Sequence, residues 1–327
     1  MNRIFILLTI FLFSMAMTTT IYHNAPWALA QNTTAPSISF DYYTSWGSPG
    51  EGDGQFDGQN DVDYFNGKVY VPDYANHRIQ IFDPEGNFLA KFGEGGEEDG
   101  QFHKASALSM DSEGNIYVAD QFNYRIQKFD NNGTFLTKWG SEGSADGQFL
   151  HPHVPANDAT GKLFVTDRDI PNVQVFSTDG EFLYKWGSEG EGNGQFSNPE
   201  SSIVDSKGNV YIADYGNDRI QKFSNDGSYI SQWGTKGTGN GQFQGPAGLS
   251  IDSNDNIYVT DKNNNRVQVF TKDGQYITQF GGAVDAGEEG QLLDPEGVGV
   301  DKESGTVYVA DTGNTRIVVF KPTTGSF

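Results

Sequence analysis

The chain has 327 residues, room for one large domain or two ordinary ones. Its 43 acidic against 21 basic residues leave a net charge of −22, which repels phosphate backbones and excludes nucleic acid as a partner. The absence of cysteine removes disulfides, thiolate nucleophiles and Cys-based zinc sites together, while 13% aromatic residues and 41 glycines suit many short strands joined by tight turns.

The first predicted element is a leader. Asn2 and Arg3 precede an apolar run from Ile4 to Met17, and Ala28-Leu29-Ala30 supplies small residues before Gln31. This pattern predicts a signal peptide over residues 1–30, with a signal anchor as the alternative; the run is about fourteen residues, where a spanning helix needs about twenty. The expected location is outside the cell or at its surface. No later stretch is apolar enough to span a membrane, so residues 31–37 read as a short linker and 38–327 as a single domain.

From there the chain repeats itself. Gly-Gln-Phe occurs at Gly54, Gly100, Gly147, Gly194 and Gly241, and Gly-Gln-Leu at Gly290, at intervals of 46, 47, 47, 47 and 49 residues. A second marker keeps the same register: an Asp closes an apolar run at Asp73, Asp120, Asp167, Asp214, Asp261 and Asp311. In the fifth copy, Gly248–Ile251, Ile257–Thr260, Arg266–Phe270 and Tyr276–Phe280 are runs rich in Val, Ile, Tyr and Phe, separated by Asp, Asn and Gly. They read as four antiparallel strands, one propeller blade, so six copies predict an all-β, six-bladed β-propeller. The last copy stops after its third strand at Phe320, and Ser39–Trp46 resembles a fourth strand. The N-terminal strand is therefore expected to complete the last blade, removing an open edge.

Gly-Gln-Phe, Pro295-Glu296-Gly297, Asn115-Ile116-Tyr117-Val118-Ala119-Asp120 and Asn123-Tyr124-Arg125-Ile126-Gln127 resemble NHL repeats of the secreted prokaryotic type, over roughly residues 38–321. The Gly-His and Trp-Asp signatures of WD40 repeats are missing; here Gly follows Trp46, Trp139, Trp186 and Trp233. The resemblance extends to the propellers of tripartite-motif ubiquitin ligases and implies partner recognition. Their separate zinc-bearing catalytic module is not expected here, because the sequence has no cysteine to hold its zinc. Pro152-His153 is also similar to the entry motif that supplies zinc-binding histidines in peptide-amidating lyases, though in only one of six blades.

The repeated Asp, Asn and Arg (Asp214, Asn217 and Arg219 in the fourth copy) read as structural, because they recur in nearly every blade. Asp252, Asn254 and Asn256 have the spacing of the first ligands of a calcium loop but lack its bidentate Glu, and read as a turn. Function is expected where the copies disagree, on the face formed by the entry to strand one and the loop between strands two and three. The variable residue before the innermost strand is Asn60, Ser106, His153, Glu200, Ala247 and Glu296 in turn, and the adjoining loops add Tyr74, Gln121, Phe122, Arg168, Asp169, Tyr215, Lys262 and Thr312. Blade three departs most: His151-Pro152-His153 replaces the usual entry, and Asn172 stands where the repeat has Arg.

These residues predict an extracellular, monomeric binding module whose top face takes a protein, peptide or glycan, with the acidic charge favouring basic partners or cations. The alternative is a metal-dependent lyase or lactonase-type hydrolase at the channel mouth, with His153, Glu200 and Glu296 as the candidate set for zinc or calcium. Asn32 and Asn132 head sequons for N-glycosylation.

Overall fold

The computed structural model describes residues 38–282 and 289–323. The leader, the linker and Asn32 lie outside the described residues. Six four-stranded antiparallel sheets form the blades, and their first strands line a central channel. Blade one is Asp63–Phe65, Lys68–Asp73, Arg78–Phe82 and Phe88–Phe92; blade two is Ala105–Met110, Ile116–Asp120, Arg125–Phe129 and Phe135–Trp139. Blade three comprises Pro152–Asn157, Lys162–Asp167, Asn172–Ser177 and Phe182–Trp186; blade four, Pro199–Val204, Val210–Asp214, Arg219–Phe223 and Tyr229–Trp233. Blade five is Pro246–Ile251, Ile257–Asp261, Arg266–Phe270 and Tyr276–Gly281, each strand within two residues of its expected bounds.

Blade six closes the ring. Val298–Val300, Val307–Asp311 and Arg316–Pro322 are completed by the N-terminal strand Phe40–Trp46, which runs antiparallel to the third strand with Phe40 opposite Pro322 and Trp46 opposite Ile317. A register shift between Tyr42 and Thr44 bends this strand. Among the described residues no helix is long and apolar enough to cross a membrane.

Second strands such as Val210–Asp214 are buried at every position, because both faces of a blade pack on neighbouring blades. Fourth strands such as Tyr229–Trp233 alternate, with one face toward water. The core consequently lies between blades: Phe164, Val173 and Val175 of blade three meet Phe196, Val210, Ile212 and Phe223 of blade four. Phe196 is the Phe of Gly-Gln-Phe. Its ring explains the Gly that follows each Trp: Gly187 has φ +98°, and a Cβ there would lie 2.6 Å from Phe196.

The repeated Asp, Asn and Arg are a buried anchor. Asp214 accepts from the Ser197 amide (2.8 Å), Arg219 Nε (2.7 Å), Asn217 Nδ2 and Gln221 Nε2, and the Arg219 guanidinium also donates to the carbonyls of Glu191, Gly192 and Gln195. One carboxylate thus ties the connector between blades to the strands it feeds. Asp252 has the same kind of role at the opposite end, where Oδ1 accepts the amides of Asn254 and Asn256 in the turn between strands one and two.

On the rim, Lys91–Asp53, Lys138–Asp99 and Lys185–Asp146 repeat one exposed pair at 2.6, 2.7 and 2.8 Å. Lys138→Ala is expected to change stability by less than about 1 kcal/mol in urea unfolding, because water and salt screen such a pair.

Candidate functional site: the channel mouth

Blade register places the six variable residues at one level. Gln59 bridges Asp73 as Pro152 pairs with Asp167, which puts Asn60 in line with His153 despite the shorter first copy. Two of the six do not present functional groups to the mouth. Ser106 is fully buried and its Oγ donates to the Ala119 carbonyl, and Ala247 is a buried methyl. Thr312 and Gln121 are also engaged inside the scaffold: Thr312 Oγ1 donates to the Gln59 carbonyl, and Gln121 Oε1 accepts from the Tyr74 hydroxyl at 2.7 Å.

The charged residues gather into two groups. Arg168 NH1 reaches Glu200 Oε1 at 3.2 Å and lies over the Tyr215 ring at 5.8 Å, while His153 Nε2 faces Glu200 Oε2 at 3.2 Å. Across blades five and six, Lys262 pairs with Glu296 and approaches Asp294 at 3.9 Å. Burial raises the carboxyls of Glu200 and Glu296, and the neighbouring cations Arg168 and Lys262 oppose that rise.

Burial also pushes the His153 imidazole down to about 4, against the opposing effect of Glu296. Yet both ring nitrogens face oxygens of Glu200, Nδ1 lying 3.1 Å from its carbonyl. Burial is the larger effect, so at neutral pH the ring carries one N–H for two acceptors. The candidate metal set is thus occupied by protein partners: Glu200 is held by Arg168 and His153, and Glu296 by Lys262. Among the described residues no group of three or more His, Asp or Glu is placed to hold a metal ion.

Blade three justifies its irregular sequence. Without the repeat Arg, Asp167 is satisfied by four backbone amides, those of Leu150, His151, Asp169 and Ile170. The loop they shape carries Arg168 toward blade four and sets Asp169 3.4 Å from His151.

Outside the charged groups runs a file of rings. His77 and His103 lie 6.0 Å apart, His103 and Phe122 5.3 Å, Phe122 and His151 6.2 Å, and His151 and His153 6.4 Å. Lys104 sits over the rings of both Tyr74 (4.8 Å) and Phe122 (5.1 Å). Phe122 is 39% exposed. Every described histidine belongs to this file. His77, His103 and Lys104 escape a reading confined to the Pro-x-Gly residue and the loop after strand two. The signal for His103 and Lys104 lies in the two columns after the repeat Phe, where they stand against Ser197-Asn198 and Gln244-Gly245, and that for His77 in the column before the repeat Arg, where it stands against Tyr124, Asp218 and Asn265.

Six NHL-like blades closed into a ring, with mouth residues that differ from blade to blade, define a six-bladed propeller scaffold. The chain belongs to the 6-bladed beta-propeller family, whose model matches residues 54–151 and 156–233, and the NHL repeat model matches 243–270 and 292–320. No curated protein matches the chain by sequence.

Solved structures share the fold. A protein of unknown function from Bacteroides thetaiotaomicron superposes with a TM-score of 0.69 at 18% identity, over 88% of this chain and 76% of that one. Virginiamycin B lyase from Staphylococcus aureus gives 0.58 at 15%, over 86% and 99%. A gluconolactonase from Xanthomonas campestris gives 0.62 at 13%, over 82% and 87%. At these identities the likeness is one of fold.

Proposed function

We propose that the protein is a recognition module, acting outside the cell as its leader suggests, which binds a peptide segment or a glycan across the mouth side of blades one to four. The file of rings from His77 to His153, with Lys104 beside it, carries this reading. Its spacing of 5.3–6.4 Å is close to the roughly 6.5 Å between alternate side chains of an extended strand, so alternate side chains of a peptide would meet successive rings. An exposed aromatic beside a cation is also the composition that concentrates binding energy at interfaces.

The test is a random-peptide display selection and a glycan array, each probed with the native protein and with Phe122→Ala. Binders weakened tenfold or more by the substitution are the expected result. Binders indifferent to both Phe122→Ala and Lys104→Ala would overturn the reading.

A second reading rests on the His153–Glu200 pair, which is short of one proton and so has the form of a general base. It would make the mouth a hydrolase or lyase site, as the names of two fold relatives suggest. Turnover of a lactone that disappears in His153→Ala would favour it.

A further inference from the structure

At the end of the channel away from the mouth, a cavity of about 510 Å³ is lined by the first strands of all six blades and by the turns that follow several of them. Its size is that of an ordinary small-molecule site, and its wall is mixed, with Leu108, Val154, Leu249 and Val298 among several carboxylates. Three of those carboxylates, Asp111, Asp158 and Asp301, are structural. Asp111 caps its turn through the amides of Glu113 and Asn115, Asp158 through those of Thr160 and Lys162, and Asp301 through that of Glu303.

Asp61 and Asp63 are different. They lie two residues apart in blade one, at positions that no turn requires. In the other blades the position of Asp61 is taken by Ala107, Val154, Ser201, Gly248 and Gly297, and that of Asp63 by Ser109, Ala156, Ile203, Ser250 and Gly299. Gly297 is small for a reason: a Cβ there would fall 2.5 Å from the Asp61 backbone. At these two positions of the first strand, blade one alone carries charge.

Asp61 is only 8% exposed. Its oxygens accept the amides of Val62 and Leu108, and Asp63 accepts the amide of Tyr64. Neither makes an ion pair among the described residues, and Lys302, which also lines the cavity, acts on Asp63 without pairing with it. Burial raises Asp61 to about 7 and Asp63 to about 6, with each helped or opposed by charges nearby: Asp63 adds to the rise of Asp61, and Lys302 resists that of Asp63. A buried carboxyl without a cation is costly, and a ligand that supplies the cation removes that cost.

We propose that this cavity binds a small organic cation, with a primary ammonium or guanidinium on Asp61 and Asp63 and its hydrocarbon part against Leu108, Val154, Leu249 and Val298. The site is distinct from the mouth, although Glu296 there adds to the rise of Asp61. Binding shifts both carboxyls to their ionised forms and so releases protons below about pH 7.

The experiment is titration calorimetry with n-hexylamine, benzylamine and agmatine, using n-hexanol, benzyl alcohol and hexanoate as matched controls. It is run on the full protein and on Asp61→Asn and Asp63→Asn, each checked for fold by circular dichroism. Asp63→Asn is the safer variant, because Asp63 accepts one backbone bond and Asp61 two. The expected result is one-to-one binding of at least one amine. It should be at least tenfold tighter than that of the uncharged or anionic control, and at least tenfold weaker in Asp63→Asn and at pH 5 than in the native protein at pH 8. The proposal is overturned if no amine exceeds its control, or if a folded Asp63→Asn binds as well as the native protein.

Discussion

Asp214→Ala is expected to lower the stability of the propeller by about 3–5 kcal/mol, read as a fall in the urea midpoint. The substitution leaves Arg219, which is 6% exposed, buried without its carboxylate, and it strips the Ser197 amide and the Asn217 and Gln221 side chains of their acceptor. Leaving a buried charge and its donors unpaired costs far more than the pair contributes net. The double substitution Asp214→Ala with Arg219→Leu is therefore expected to be less destabilising than the sum of the two singles. Additive losses would show that the anchor works through packing alone.

Asp61→Asn has an effect of similar size that appears only as a dependence on pH. The native carboxyl holds its proton up to about pH 7 from an ordinary value of 3.8, so the folded chain binds more protons than the unfolded one between these limits. Stability contributed by this group is present below about pH 4 and is lost as pH rises through 7. The variant has no such loss. Its stability relative to the native protein is expected to rise between pH 4 and pH 8 by about 4 kcal/mol, because each tenfold change in proton affinity is worth about 1.36 kcal/mol. The comparison cancels the carboxylates that do not interact with Asp61, leaving Asp63 and Glu296 coupled to it, and the hydrogen bond that Asn forfeits at either the Val62 or the Leu108 amide offsets the whole curve. A difference that is flat with pH would show that Asp61 is ionised in the folded protein.

The architecture is readable from sequence because each blade repeats the same solution to the same packing problem. A Phe between sheets, a Gly beneath it and an Asp at the strand end recur at nearly constant spacing, and even the closing strand declares itself through its likeness to Tyr276–Phe280. The mouth is partly readable. His153, Glu200, Arg168, Lys262 and Glu296 stand out as departures from the repeat, and the structure gathers them. Ser106 has equal standing in the sequence, but its hydroxyl finds a carbonyl inside its own blade, a choice of rotamer that no spacing encodes. Asp61 and Asp63 are hidden for the opposite reason. Asp61 takes the place of the motif's Gly, and Asp63 lies two residues further along, where no motif marks the place; a reading confined to the variable middle residue of Pro-x-Gly passes over both.

The clasp of blade six bears on how the molecule comes into being. Thr323 donates its backbone N–H to the Ser39 carbonyl across 284 positions of sequence, so the earliest strand to be synthesised finds its partner among the latest. Contacts so remote in the chain are slow to form, and blades assembled in order leave Phe40–Trp46 waiting as an unpaired edge throughout synthesis. A nascent chain halted before Arg316–Pro322 would hold nearly all of its blades and still expose that edge. The last strand made therefore governs whether newly made molecules circularise or adhere to one another.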